Sequence, residues 1–161
     1  MADTRHRFAS VGDNCIDRYL PLRQAAVGGN AVNVAVQLVL EGESCSYFGA
    51  VGRDEAGRWT REALGLHGVG LEYLQELDAP TAHTDIDVDA EGERFIAFED
   101  FGATALYRPS PHDISALAAM DHLHIGWLQE AGALRAALAG SAVSISQDVA
   151  VNPDAAGLDL G

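Results

Sequence analysis

Apolar positions along the chain change their period several times, and each change marks an element. From Gly28 to Gly42 the text is Gly-Gly-Asn-Ala-Val-Asn-Val-Ala-Val-Gln-Leu-Val-Leu-Glu-Gly. Val32, Ala35, Val36, Val39 and Leu40 recur at helical spacing, and Val34 and Leu38 carry the apolar surface most of the way round. That pattern predicts a buried helix. Asn30 suits its N-cap and Gly42 the position just past its end. A helix of this length spans about 18 Å, enough to cross a small domain. Strand-like apolar runs cover Phe8–Asp13, Ser44–Val51, Asp121–Trp127 and Ser141–Asp148. Two further helices are predicted between them. One follows Asp54 as N-cap, turns Trp59, Ala63, Leu64 and Leu66 toward a partly buried face, and stops at Gly68 and Gly70. The other runs from Ala131 to Leu138.

Strands alternating with helices predict an α/β fold with a mostly parallel sheet covered by helices. One stretch departs from the alternation. Thr81–Ala90 and Glu93–Asp100, joined through Glu91-Gly92, read as a β-hairpin in which Ile86 and Val88 alternate with acids. A two-stranded hairpin is marginal by itself, so it must pair with other strands or with another chain. Tyr19–Val27, which contains Pro21, reads as an irregular link. Gly102–Pro111 reads as a loop leading, through Pro109-Ser-Pro-His-Asp, into a short helix that ends at Ala119.

At 161 residues the chain is one domain, long enough for a real core. Its expected bounds are residues 1–148, with the hairpin of residues 81–100 as an insertion and residues 149–161 as a frayed tail. The formal net charge is −14, from 24 acidic and 10 basic residues, and all ten basic residues are arginines. That balance argues against nucleic acid or anionic membrane surfaces as partners. The lack of lysine excludes Schiff-base chemistry and a Walker-A clamp. Cys15 and Cys45 have no metal-type spacing and read as buried thiols. The amino-terminal residues carry no long apolar run, and no stretch approaches 18 apolar residues. The cytoplasm is the expected location.

Several polar positions could carry chemistry. If residues 13–17 are extended, Asp13 and Asp17 share one strand face about 13 Å apart. A carboxylate facing a cleft can accept hydrogen bonds from two vicinal hydroxyls of a ligand; an exposed acid at a strand end is the simpler alternative. Gly28 and Gly29 let a ligand approach the main chain closely, or they only connect strand to helix. The amides at the helix start and the Asn33 side chain would face whatever lies above that turn. His122 and His124, two apart on a strand, could share a metal, but no third ligand is near in sequence, and packing or hydrogen bonding fits them better. Asp148 ends a parallel strand, where open α/β sheets bind ligands.

Three segments in order resemble the ribokinase-like sugar kinases, the PfkB carbohydrate kinase family. They are Gly12-Asp-Asn-Cys-Ile-Asp17, the Gly28-Gly29…Asn33…Ala35…Gly42 signature, and Val51-Gly-Arg-Asp-Glu-Ala-Gly57. The wording of the first two is most similar to the fructosamine (fructoselysine) 6-kinase branch. The resemblance covers about Phe8 to Asp148 and implies a ribokinase-like fold with the hairpin in a small antiparallel lid. It implies ATP-dependent phosphorylation of a sugar hydroxyl, with ATP and Mg²⁺ as the family's expected cofactors. It places Asp17 where substrate hydroxyls bind, with Asp13, Gly28, Gly29 and Asn33 beside it and the Ile125-Gly126-Trp127 strand end next to the sugar pocket. Asp148 matches the start of a D-x-N-x-R type segment near the phosphates, whose arginine is missing in Asp148-Val-Ala-Val-Asn-Pro153. The family's G-A-G-D motif, with its general base and nucleotide pocket, has no counterpart here. The expectation is therefore the substrate-binding half of a sugar kinase, with its C-terminal half absent, no assigned catalytic residue, weak nucleotide binding and no phosphoryl transfer alone. An open sheet edge predicts self-association or poor stability. A homodimer through the lid, or a separate C-terminal half, is the expected partner besides a sugar or fructosamine. A non-catalytic sugar-binding or dimerising module, or a relic fragment, is the alternative.

Overall fold

The structure is a computed structural model that describes residues 6–149. The expected tail beyond residue 149 lies outside them. The elements are β1 (Arg7–Val11), β2 (Cys15–Tyr19), β3 (Gln24–Gly28), α1 (Asn30–Leu40), β4 (Ser44–Gly52), α2 (Glu55–Leu66), β5 (Gly70–Leu77), β6 (His83–Val88), β7 (Arg94–Asp100), α3 (Gly102–Leu106), α4 (Pro111–Ala118), β8 (His122–Ile125), α5 (Ala131–Ala137) and β9 (Ser144–Gln147). They build two sheets. The larger is wholly parallel, in the order β5-β4-β1-β8-β9. The smaller is mixed, in the order β3-β2-β6-β7. In it β2 runs parallel to β6, and the two outer pairs are antiparallel.

The parallel sheet is covered on both faces, as a run of buried residues along its strands requires. On one face Ala9, Val11, Leu123 and Ile125, none of them exposed, meet Leu117 of α4 and Leu134 of α5. Each such aliphatic side chain contributes about 1.5–3 kcal/mol by leaving water. On the other face Ala31, Val32 and Ala35 of α1 and Leu64 of α2 pack on Cys45, Tyr47 and Val51. Ser10 is the polar exception in β1. Its hydroxyl donates to the Ala31 carbonyl at 2.7 Å, which satisfies a buried donor.

The first passage of the chain from one sheet to the other falls at a glycine. Gly12 has φ of 129°, a conformation closed to most residues. β1 ends before it in the parallel sheet and β2 begins after it in the mixed one. Asp13 therefore sits in the turn, and the expected shared strand face with Asp17 does not form. Tyr19–Val27 is not an irregular link either. A 3₁₀ turn over Leu20–Leu22 is followed by Arg23 at φ 51°, and the chain then returns as β3 against β2. Gln24, Ala25 and Ala26 are all exposed, so this strand leaves no apolar alternation. The predicted hairpin is β6 and β7, with a register shift between Asp85 and Ile86, and it gains its further strands through β2.

Other differences have similar causes. β5 has no counterpart in the sequence reading. Its acids interleave with Leu71, Tyr73 and Leu74, and it lies at the sheet edge. Gly102–Leu106 is a short helix rather than a loop. α1 is buried along one stripe only, because Leu40 is 63% exposed and Val36 lines a groove. In α2 the buried residues are Gly57, Thr60 and Leu64, whereas Leu66 is 89% exposed. Ser110 caps α4 through a reciprocal bond pair with Asp113.

Candidate functional site

The site grows from the turn where the two sheets meet. Asp13 turns its carboxylate back into the protein. Oδ2 accepts the Asn30 amide at 2.5 Å, and Oδ1 accepts the Trp127 amide at 2.7 Å and the Ala31 amide at 3.3 Å. Asp13 thus caps α1 from a distant part of the chain. Asn30 was the expected cap, but Gly29 occupies that position without a side chain, and Asn30 is the first helical residue. A carboxylate at a helix N-terminus is favoured by the exposed amides and by the helix dipole. Gly29, at φ 111°, is required by this approach: a Cβ there would lie 2.7 Å from the Asp13 carbonyl oxygen.

Asn14, 1% exposed, holds the next position. Its Nδ2 donates to the Tyr47 hydroxyl at 3.0 Å and to the Ala50 carbonyl at 2.7 Å. Its Oδ1 is buried and has no partner. Thr104 of α3 donates its hydroxyl to the Asn14 carbonyl at 3.1 Å, which ties α3 to the turn. Cys15 begins β2, and its thiol donates to Asp17 Oδ1 at 3.0 Å. Burial, and then the bond and charge of Asp17, push the Cys15 thiol well above its ordinary range. Asp17 lies over Gly28, where any Cβ would collide with its carboxylate.

These residues frame a cavity of about 290 Å³ between the sheets. Asp13, Asn14 and Cys15 line it from the turn, Thr84, Ile96, Glu99 and Asp100 from the mixed sheet, and Phe101 and Trp127 from the flanking loops. The two aromatic rings lie 4.5 Å apart between centroids at 30°. Asp13 is in this wall; Asp17, Gly28 and Gly29 do not line it, although Asp17 accepts the thiol of Cys15, which does, and Gly28 pairs with Cys15 across β2 and β3. Asn33 does not line it either. It lines a separate groove of about 610 Å³ between α1, α2 and β3, with Val27, Trp59 and His67. Asp148 lies past β9, its amide donating to the Ile125 carbonyl at 2.9 Å. Asn14, Thr84, Glu99, Asp100 and Phe101 were not singled out in the sequence, although the Asn14 side chain stands inside the Gly12–Asp17 segment.

The two strand histidines are taken up by hydrogen bonds. His122 meets the Ser144 hydroxyl at 2.8 Å and the Ser146 hydroxyl at 2.9 Å; His124 meets Ser146 at 3.0 Å and Asn30 Oδ1 at 2.8 Å. Burial holds the His124 ring below its ordinary pKa, against the charge of Asp148. Among the described residues no group of three His, Cys, Asp or Glu side chains could hold a metal ion.

Comparison with known proteins agrees with this architecture. Residues 21–156 match the model of the pfkB family of carbohydrate kinases. The chain is 33% identical over 117 residues to fructoselysine 6-kinase of Escherichia coli, covering 73% of this chain and 44% of that protein. It is 31% identical over 121 residues to fructosamine kinase FrlD of Bacillus subtilis, covering 73% and 43%. Among solved structures, Arabidopsis thaliana ribokinase complexed with ribose and ATP superposes with a TM-score of 0.79 at 20% identity, over 90% of this chain and 54% of that one. Halothermothrix orenii fructokinase gives 0.74 at 15% identity, over 95% and 61%. The fold is thus the ribokinase-like one, and the chain belongs to the pfkB family of carbohydrate kinases. It spans less than half the length of the two curated relatives. Among the described residues, no helix is long and apolar enough to cross a membrane.

Proposed function

We propose that this chain binds a sugar derivative of the fructosamine type in the cavity between its sheets, as the substrate side of an ATP-dependent phosphorylation of a sugar hydroxyl. The observation that carries the reading is the Asp17 carboxylate, poised over Gly28 and tied to the cavity wall through Cys15, in a chain 33% identical to fructoselysine 6-kinase. In this reading Asp17 accepts hydrogen bonds from vicinal hydroxyls. Gly28 and Gly29 keep the main chain accessible, and Asp13 fixes the turn and α1 from beneath. Asn33 lines the separate groove beside α2 and takes no part in this reading. The mixed sheet acts as a lid that excludes water. Its outer strands support pairing with a second copy, since every residue of β7 from Arg94 to Glu99 is exposed.

A thermal-shift titration tests the binding. Fructosamine at about 100 times its Kd stabilises a protein by about 2.7 kcal/mol. For a domain of this size that raises Tm by about 5–10 °C. A melt unmoved by fructosamine, fructose and ribose at millimolar concentrations would refute the proposal.

A further inference from the structure

The cavity wall carries an uneven chemistry. Asp13, Glu99 and Asp100 give it three carboxylates, and no lysine, arginine or histidine lines it among the described residues. Two of the acids are occupied by the protein itself. Asp13 holds three backbone amides, and Asp100 Oδ1 accepts the Gly102 amide at 2.9 Å. Glu99 has only a long 3.4 Å contact from the Thr84 hydroxyl. The Phe101 and Trp127 rings, packed on each other, line the same cavity. Asn14 Oδ1, fully buried at the same wall and without a partner, adds an unfilled acceptor. A buried acceptor left unpaired calls for a donor. Free negative charge, an unfilled acceptor and aromatic faces together suit a cation that is rich in N–H and O–H donors.

We propose that Glu99, with the Phe101–Trp127 pair, recognises the protonated amine of an amino-substituted sugar and so makes the cavity prefer amine-bearing over neutral sugars. The inference rests on the sugar-binding reading given above and names the group that sets its specificity. A neutral ketose of the same shape leaves the Glu99 charge without a partner and forgoes the attraction of the rings. Glu99 lies on the exposed face of β7, so its side chain can follow the amine without disturbing the core.

The test compares 1-amino-1-deoxyfructose with fructose by calorimetry, on the unaltered chain and on Glu99→Gln. The expected result is a preference for the amine of about tenfold or more in the unaltered chain, falling to within about twofold in Glu99→Gln. Raising salt from about 50 to about 500 mM should erode the preference in the unaltered chain more than in the variant. Trp127→Leu gives a second reading: it should lower the preference while keeping part of it. An amine preference unchanged in Glu99→Gln, or no preference at all in a chain that binds both sugars, overturns the role of Glu99 and leaves the sugar-binding reading standing. Failure of the unaltered chain to bind either sugar overturns both.

Discussion

Replacing Asp13 by alanine removes the acceptor of three backbone amides that belong to two distant parts of the chain. Two are at the start of α1 and one is at the end of β8. Hydrogen bonds to a charged group contribute about 1.5–3 kcal/mol each, and a carboxylate at a helix N-terminus adds about 0.3–1 kcal/mol. The 3.3 Å contact to Ala31 is the weakest of the three, and water can reach part of this half-buried turn, so the terms do not sum fully. A loss of about 3–5 kcal/mol is expected, against a typical total of 5–15 kcal/mol. Asp13→Asn keeps one acceptor but turns its NH₂ toward an amide donor, and should lose somewhat less. Urea unfolding at neutral pH, followed by tryptophan fluorescence, measures both, and Trp127 reports directly on the loosened turn. A loss below about 1 kcal/mol for Asp13→Ala would refute the reasoning. It would mean that water satisfies these amides and that Asp13 organises nothing.

Other expectations follow from neighbouring contacts. Gly28→Ala drives a methyl into the Asp17 carboxylate; it should cost about 1–3 kcal/mol of stability and weaken sugar binding, as calorimetry would show. Asp54 accepts the Gly57 amide at 2.8 Å and both the amide and hydroxyl of Thr81, at 2.8 and 2.6 Å. Partial burial pushes its carboxyl up, but these bonds prevail and hold it below the usual carboxylate range. Its contribution is therefore present above the unfolded pKa of about 4 and is lost as pH falls through the lower folded value. Asp54→Asn should be less stable than the unaltered chain near pH 7, with a deficit that narrows toward pH 3 in urea titrations. Burial pushes the Cys45 thiol up to about 12 and Cys15 higher still. Cys45 should resist a thiol-specific disulfide reagent at pH 8 and react rapidly once the chain is unfolded; its fast reaction in the folded protein would contradict its burial.

The parallel sheet was legible because its strands and helices carry strong periodic signals. Val11, Phe48 and Ile125 stand in apolar runs, and Asp54, Gly42 and Ser110 mark helix ends by their own chemistry. The mixed sheet was only half legible. β6 and β7 show alternation around a turn, but β3 is exposed along most of its length and has no hydrophobic pattern to read. Nor does the sequence reveal that Gly12 sends consecutive strands into different sheets, since a glycine permits a positive φ without requiring it. The Asp13 position shows the same limit from the other side. Its type suggested a ligand contact, while its actual partners, Asn30 and Trp127, are 17 and 114 residues away. Glu99 and Phe101 escaped notice because a cavity wall assembled from a strand end and two loops leaves no spacing rule behind. Asn33 carried a clear motif signal, yet it opens on the groove beside α2 rather than on the cavity.

The most direct measurement is isothermal titration of fructosamine into the purified chain and into Asp17→Ala. Binding by the unaltered chain that is lost, or weakened at least about tenfold, in Asp17→Ala is the predicted result and would establish Asp17 as a sugar-recognising residue. Equal affinity in both proteins, or no heat of binding in either, would contradict the assignment of substrate recognition to Asp17 and its neighbours.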